Sequence, residues 1–166
     1  MGIEAYKTSD LCDQLGTEVQ VCMAPMTSYG GRRAASGRVA CVRTFEDAAL
    51  IRAQLAQPGE GRILVVDGGA SNRVALLGDN MARLGMENGW HGVIIHGAVR
   101  DVDALASMNF AVFALSSVPL RGGNSSVGEH GVELRFGGVV FIPGHFVSMD
   151  GDGVVVTPMA ACVELR

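Results

Sequence analysis

The sequence predicts an α/β fold in which a β-rich layer packs on a β/α layer. Two uninterrupted apolar runs, residues 63–66 and 93–95, lie on either side of a segment with helical periodicity, which is typical of parallel strands buried on both faces. After residue 131 the apolar residues alternate with period two, and this predicts short strands joined by tight turns. The length of 166 residues favours a single domain, 1–166, with a substantial core.

Apolar periodicity and capping signals predict four helices. The first covers Thr8–Leu15, with Thr8 or Ser9 as its cap and Gly16 as its stop. The other three are predicted at residues 44–57, 74–87 and 101–108. The apolar stripe of the third helix consists of Val74, Leu77, Met81 and Leu84.

Apolar runs bounded by turn residues predict the strands. These strands are expected at residues 19–22, 39–42, 63–66, 93–95, 110–115, 139–142, 146–149 and 154–156. The segment 116–131 is rich in Gly and Ser and predicts a loop. Val132, Leu134 and Phe136 alternate before a Gly-Gly turn, so a further short strand is expected there.

Composition and charge exclude several classes of protein. The net charge of −4 gives no reason to expect nucleic-acid binding. The cysteines have no CxxC spacing, so we expect neither a zinc site nor a disulfide framework. They are Cys12, Cys22, Cys41 and Cys162. There is no apolar run of about 20 residues and no signal peptide, so we expect a soluble cytoplasmic protein without membrane contacts.

Polar residues cluster where the predicted buried strands meet the neighbouring helix, a common place for sites in α/β proteins. They are Asp67, Asp79, Asn80, Arg100, Asp101 and Asp103. Arginine can hold a carboxylate with two parallel hydrogen bonds, and aspartate oxygen is a hard ligand for Mg²⁺ or Mn²⁺. The set of Asp79, Arg100 and Asp101 therefore suits an anionic substrate beside a divalent ion. The alternative is a surface ion pair or a helix cap.

Three other signals are weaker. Gly78 could let a carboxylate approach the N–H groups of a helix start, or it could be a glycine within or near a helix. Segment 68–71 lacks the GxGxxG spacing of a dinucleotide loop, and the sequence has no GK[ST] phosphate-loop motif. His96 lies on the strand that leads to Arg100, and we interpret it as a partly buried histidine with satisfied hydrogen bonds.

Seven motifs extend over nearly the whole chain. They are TSDLCD (8–13), YGGR (29–32), TFED (44–47), GRILVVDGGAS (61–71), ALLGDNMARL (75–84), NGWHGVIIHGAVRDVDAL (88–105) and FGGVVFIPGHFVSMDGDGVVV (136–156). Together they resemble the RraA-like family, named after a regulator of ribonuclease activity. The family includes 4-hydroxy-4-methyl-2-oxoglutarate aldolases that also decarboxylate oxaloacetate. The resemblance implies a swivelling β/β/α fold, assembled as a homotrimer or a dimer of trimers.

The resemblance also implies roles for individual residues. The pyruvyl group would be held by the backbone amides of Gly78, Asp79, Asn80 and Met81. Arg100 would contact the carbonyl oxygen of the substrate, and Asp101 would ligate the divalent metal, with water in most other positions. The enzymatic pattern of the family is an Asp, twenty further residues and then Arg-Asp, and Asp79, Arg100 and Asp101 match it. Family members that act as ribonuclease regulators can lack parts of this pattern.

Aldol cleavage and decarboxylation of oxaloacetate share one demanding step, the stabilisation of a pyruvate enolate. Enzymes achieve this with a lysine Schiff base or with a metal ion. Lys7 is the only lysine and is far from Arg100 in sequence, so the metal route is favoured. Arg100 would add positive charge where negative charge develops, and a water near Asp79 is the candidate base.

The residues and the resemblance together predict a divalent-metal-dependent lyase. It would cleave oxo acids of the 4-hydroxy-4-methyl-2-oxoglutarate type to pyruvate and decarboxylate oxaloacetate. Asp79 and Arg100 are the candidate catalytic residues, and Asp101 is the candidate ligand of Mg²⁺ or Mn²⁺. The alternative is a regulator that binds and inhibits an RNA-degrading endoribonuclease without catalysis.

Overall fold

The computed structural model describes residues 6–158, which contain α-helices and β-strands. The helices are α1 (Thr8–Leu15), α2 (Ala49–Leu55), α3 (Asp79–Glu87) and α4 (Val102–Leu105). The strands are β1 (Gln20–Cys22), β2 (Thr27–Ser28), β3 (Ala35–Arg43), β4 (Ile63–Asp67), β5 (Gly92–Val99), β6 (Ala111–Ser117), β7 (Glu129–His130), β8 (Leu134–Phe136), β9 (Val139–Phe141), β10 (Phe146–Asp150) and β11 (Gly153–Thr157).

A mixed sheet of nine strands is built around the long strand β3. The strand order is β1-β11-β10-β3-β4-β5-β6-β2, with β7 paired to β3. Strands β3 to β6 run parallel, and the other pairs in the sheet are antiparallel. The first half of β3 pairs with β10 and the second half pairs with β4. Because β3 serves both parts of the sheet, it is longer than the predicted residues 39–42.

Two apolar cores lie on opposite faces of the parallel strands. On one face, Leu64 and Val66 pack with Ile51 of α2. On the other face, Ile63 and Val65 pack against the β8–β9 hairpin and the antiparallel strands. Burial on both faces explains why these strands are uninterrupted apolar runs. This β/β/α layering confirms the predicted fold, a β-rich layer on a β/α layer.

The third helix begins later than predicted, and this correction matters for the site. Helix α3 starts at Asp79 instead of residue 74. Residues 75–77 are buried but not helical, and the N–H of Ala75 donates to the carbonyl of Leu120 at 2.6 Å. The prediction was wrong because the apolar residues of this non-helical segment happen to continue the helical spacing. Gly78 therefore occupies the cap position of α3.

Two further helix starts differ from the prediction. Helix α2 begins at Ala49, because the residues before it contact the segment between β6 and β7. The N–H of Ala48 donates to Gly123 O at 2.9 Å, and the hydroxyl of Thr44 donates to Val127 O at 2.6 Å.

Helix α1 begins at Thr8, but no side chain at its start caps it, so the prediction that Thr8 or Ser9 is the cap was wrong. Thr8 instead donates its backbone N–H and its hydroxyl to Asp150, at 2.9 and 2.7 Å.

The remaining differences are small. Helix α4 is shorter than the predicted 101–108, and the predicted loop 116–131 contains strand β7. Within residues 6–158, no helix is long and apolar enough to cross a membrane. Cys12, Cys22 and Cys41 are free thiols, and Cys162 lies outside the described residues.

Candidate active site at the start of helix α3

The residues predicted to form the site all line one cavity of about 370 Å³. They are Gly78, Asp79, Asn80, Met81, Arg100 and Asp101. The twenty residues between Asp79 and Arg100 form most of α3 and the whole of β5. This helix and strand bring the chain back, so that the end of β5 meets the start of α3.

Gly78 and Asp101 are in close contact at the start of α3. The backbone N–H of Asp79 donates to Oδ2 of Asp101 at 3.1 Å, so Asp101 caps the helix from another segment. A Cβ atom at residue 78 would lie 2.5 Å from the same carboxylate oxygen. Glycine therefore permits this approach, and the helix N-terminus favours the negative charge of Asp101.

Asp101 has a left-handed backbone conformation, with φ 59° and ψ 41°. This conformation is uncommon outside glycine and costs on the order of 1 kcal/mol. Hydrogen bonds on both sides hold the turn: the N–H of Arg100 donates to Leu77 O at 2.9 Å, and the N–H of Leu105 donates to Asp101 O at 2.9 Å. Backbone strain that is held in this way is common in functional sites.

The Arg100 side chain lies beside Asp101 and keeps donors available. Its Nε atom is 3.9 Å from Asp101 Oδ2, and the two side chains are 36% and 40% exposed. Solvent screens an ion pair with this exposure, so it contributes little to stability. One Nη1 contact reaches Pro119 O at 3.4 Å. Since a guanidinium has five N–H donors, Arg100 can still donate to an anionic ligand.

Two of the amides expected to hold the pyruvyl group already donate to carboxylates. The N–H of Asp79 donates to Asp101, and the N–H of Asn80 donates to Asp79 Oδ1 at 2.8 Å. A substrate carboxylate at this helix start would therefore use the amides of Gly78 and Met81, or displace one of these side chains.

The carboxylates around Asp101 fit a weakly held, hydrated cation. Asp79, Asp101 and Asp103 line a second cavity, which shares Asp79, Arg100 and Asp101 with the first. Among residues 6–158, no three His, Cys, Asp or Glu side chains converge closely enough to hold a metal ion between them. Mg²⁺ commonly takes one or two carboxylates and keeps several waters. The Asp101 carboxylate, which is partly exposed and anchored through one oxygen, fits such an ion.

Asp67 of the predicted cluster lies outside the cavity, close to His96. Oδ1 of Asp67 is 3.8 Å from Nδ1 of His96, and the His96 ring stacks on Phe136 with centroids 4.4 Å apart. Burial lowers the pKa of His96, against the opposing effect of Asp67. The ring is partly buried, as predicted. Its Nδ1 has no hydrogen-bond partner within the described chain, so the expectation of a satisfied histidine was wrong.

The cavity also includes two arginines that the sequence patterns did not reveal, Arg52 and Arg121. Arg52 lies on α2, where nothing in the sequence distinguishes it from a solvent-facing helix residue. Arg121 lies between β6 and β7, in the predicted loop. The glycines that follow it, Gly122 and Gly123, could have suggested a segment that approaches another backbone closely.

The fold and the cavity define an α/β protein in which a strand end and a helix start meet at one cavity, lined by Gly78, Asp79, Arg100 and Asp101. The chain belongs to the RraA-like family, since the family model described as Aldolase/RraA matches residues 8–156.

Two relatives of the chain carry the same provisional name. A protein of Aromatoleum aromaticum, provisionally named a 4-hydroxy-4-methyl-2-oxoglutarate aldolase, is 47% identical over 152 residues, which are 92% of this chain and 96% of that protein. A Pseudomonas aeruginosa protein with the same provisional name is 43% identical over 155 residues, 93% of this chain and 96% of that protein.

Solved structures agree on the fold. A structure named as an S-adenosylmethionine:2-dimethylmenaquinone methyltransferase from Geobacillus kaustophilus has a TM-score of 0.91 and 47% identity, and covers 92% of this chain and 95% of that chain. The structure of the RNA-processing inhibitor RraA from Thermus thermophilus has a TM-score of 0.90 and 42% identity, and the match covers 93% of this chain and 94% of that chain. Because these names differ, the function has to be argued from the cavity.

Proposed function

We propose that this protein is a divalent-metal-dependent lyase. It cleaves 4-hydroxy-4-methyl-2-oxoglutarate and similar oxo acids to pyruvate, and it decarboxylates oxaloacetate. The observation that carries the proposal is the convergence of Gly78, Asp79, Arg100 and Asp101 on one cavity. The provisional aldolase names of the Aromatoleum and Pseudomonas relatives support the same reaction class.

Cleavage of 4-hydroxy-4-methyl-2-oxoglutarate produces two molecules of pyruvate. A base takes the proton of the 4-hydroxyl group, the C3–C4 bond breaks, and its electron pair moves to the 2-oxo group to form an enolate. C4 becomes the carbonyl carbon of one pyruvate, and protonation of the enolate at C3 gives the other. In oxaloacetate the C3–C4 bond breaks with loss of CO₂ and leaves the same enolate. Both reactions therefore need stabilisation of negative charge at one oxygen.

Side chains and amides of this chain supply the contacts that the enolate needs. Arg100 donates to the oxygen where charge develops, a type of contact that is worth about 10²-fold or more in rate. The amides of Gly78 and Met81 at the helix start hold the carboxylate of the pyruvyl group. Asp79 lines the same cavity and orients the water that accepts the hydroxyl proton.

Asp101 is the residue that would hold the cation, Mg²⁺ or Mn²⁺. When bound, such an ion polarises the oxo group and lowers the energy of the developing enolate. A lysine Schiff base is the other common way to stabilise it. Lys7, the only lysine in the sequence, lines a different cavity together with Tyr6 and Asp150, and this placement disfavours that route.

Pyruvate release tests the proposal directly. The purified protein is assayed with 4-hydroxy-4-methyl-2-oxoglutarate and with oxaloacetate, with lactate dehydrogenase and NADH as the coupled reporter. We expect activity that disappears with a chelator and returns with Mg²⁺ or Mn²⁺, because one carboxylate ligand holds such an ion weakly. Blanks without protein correct for the reaction of the free ion with oxaloacetate. If no metal condition yields pyruvate from either substrate, the proposal is wrong.

The similarity to the Thermus inhibitor of RNA processing supports a second candidate function. In this alternative the protein docks to an RNA-degrading endoribonuclease and lowers its activity without catalysis. This role would be favoured by two results together: the protein releases no pyruvate, and its addition lowers the rate at which the endoribonuclease cleaves RNA. The presence of Asp79, Arg100 and Asp101 in one cavity favours the lyase.

A further inference from the structure

Arg52 and Arg121 add positive charge to the cavity that contains Arg100 and Asp101. Across residues 6–158, no Asp or Glu forms an ion pair with Arg52 or Arg121. Arg100, in contrast, lies beside Asp101. The cavity is therefore lined by two arginines beyond the one that the proposed chemistry uses, and both are exposed at its edge to solvent and to an incoming ligand.

Arg121 lies on a backbone segment that is tied to the start of α3. The N–H of Gly122 donates to Ala75 O at 2.9 Å, and the N–H of Ala75 donates to Leu120 O at 2.6 Å. These bonds make Arg121 the bridge partner of Ala75. Ala75 lies three residues before Gly78, at the start of the buried segment 75–77, so the backbone positions of Arg121 and of the helix start are coupled.

Asp47 anchors the loop beyond Arg121. Its side chain accepts hydrogen bonds from the backbone N–H groups of Ser125 and Val127, and the residue is only 3% exposed. The N–H of Gly123 also donates to Glu46 O at 2.8 Å. A buried carboxylate with backbone donors is costly to disturb. The loop therefore holds the Arg121 backbone in place before any substrate binds.

We propose that Arg121 binds the second carboxylate of a dicarboxylic 2-oxo acid, with Arg52 adding to the positive potential. This inference rests on the proposed function, in which the pyruvyl end of the substrate contacts Gly78 and Arg100. The second carboxylate then extends into the rest of the same cavity. A carboxylate that leaves water needs a cation and hydrogen bonds, and arginine supplies both in a planar fork. The cavity thereby selects dicarboxylic over monocarboxylic oxo acids.

Two ligands without a cleavable bond separate binding of the second carboxylate from the chemistry. 2-Oxoglutarate and 2-oxopentanoate share a five-carbon chain and a 2-oxo carboxylate, and only 2-oxoglutarate has a carboxylate at C5. Their Kd values are measured by isothermal titration calorimetry in buffer containing Mg²⁺. We expect the wild type to bind 2-oxoglutarate about 10-fold or more tightly, as for hydrogen bonds to a charged group.

Substitution of Arg121 should remove this preference. Arg121→Ala is expected to bind the two ligands with similar Kd values. Arg121→Lys keeps the charge without the fork and should retain part of the preference. Arg135→Ala is the matched control, because Arg135 is 75% exposed on β8 and lies outside the cavity. It should keep the wild-type ratio.

Circular dichroism and thermal unfolding check the fold of each variant. Equal or undetectable binding of the two ligands by the wild type would overturn the inference. An unchanged ratio of the two Kd values in a folded Arg121→Ala variant would also overturn it. Loss of the preference in the Arg52→Ala variant, with the preference kept in Arg121→Ala, would do the same. Because neither ligand is cleaved, a failure to release pyruvate in the activity assay would reject the proposed reaction without deciding this binding result.

Discussion

A single added methyl group at Gly78 would disturb the two side chains proposed to bind metal and substrate. The backbone of Gly78, with φ −129° and ψ −167°, is an extended conformation that alanine also adopts. Its Cβ atom, however, would lie 2.5 Å from Asp101 Oδ2 and 3.3 Å from Arg100 Cγ. The steric conflict therefore falls on Asp101 and Arg100 instead of on the backbone of α3.

We predict that Gly78→Ala lowers kcat/KM for pyruvate release by on the order of 10²-fold, because small shifts of positioned groups have such effects. The thermal midpoint should stay near that of the wild type. Gly151→Ala is the control, since a Cβ there meets no atom within 4 Å, and it should retain activity. Wild-type turnover by a folded Gly78→Ala protein would show that the position of Asp101 does not matter for the reaction.

At the scale of structural elements, the Asp47 side chain holds the loop between β6 and β7. This carboxylate lies between the loop and the start of α2, where it also accepts the N–H of Ala49 at 3.3 Å. Asp47→Asn would turn an amide NH₂ group towards backbone donors. We expect a loss of about 1–3 kcal/mol in the free energy of unfolding.

The same substitution should raise KM for dicarboxylic substrates more than it lowers kcat, because Arg121 would lose its fixed position. Urea unfolding and steady-state kinetics of pyruvate release measure the two effects. Asp13→Asn changes an exposed carboxylate on α1 and serves as the control for the charge. A fall in stability with unchanged KM would assign Asp47 a purely structural role.

The sequence predicted those elements that have a clear apolar pattern. Strands β4 and β5 are uninterrupted apolar runs because they are buried on both faces, and apolar residues alternate with polar ones along β8, so these patterns were sufficient to predict them. The start of α3 was misplaced because residues 75–77 are apolar for a different reason, burial in a non-helical segment before the helix. Asp79, Arg100 and Asp101 could be grouped from strand ends and motifs. Arg121 could not, since its place in the cavity depends on a bridge to Ala75, which is distant in sequence.

For the whole molecule, we propose assembly into a homotrimer or a dimer of trimers. Within residues 6–158, several large apolar side chains are exposed on the single chain. They are Val21, Met23, Phe45, Leu120 and Val127. Leu120 adjoins the bridge at Arg121, and Val127 lies in the loop that Asp47 holds. Burial of apolar surface in a subunit interface is favourable by roughly 25 cal/mol per Å². The resemblance to the family points to threefold assembly.

Light scattering after size-exclusion chromatography tests the assembly. We expect three or six copies of the 17.3 kDa chain. A monomer at micromolar concentration that still releases pyruvate would contradict it.

The central claim is that Arg100 and Asp101 carry out metal-assisted release of pyruvate, and a titration of two variants with Mg²⁺ tests it most directly. Asp101→Asn should lose activity, because an amide is a poor ligand for a hard cation, and should recover in part at high Mg²⁺. Arg100→Lys should lose about 10²-fold or more in kcat, because the fork of donors at the developing charge is gone, and Mg²⁺ should not restore it. If both variants fold and release pyruvate from 4-hydroxy-4-methyl-2-oxoglutarate at the wild-type rate at every Mg²⁺ concentration, the site assignment is wrong.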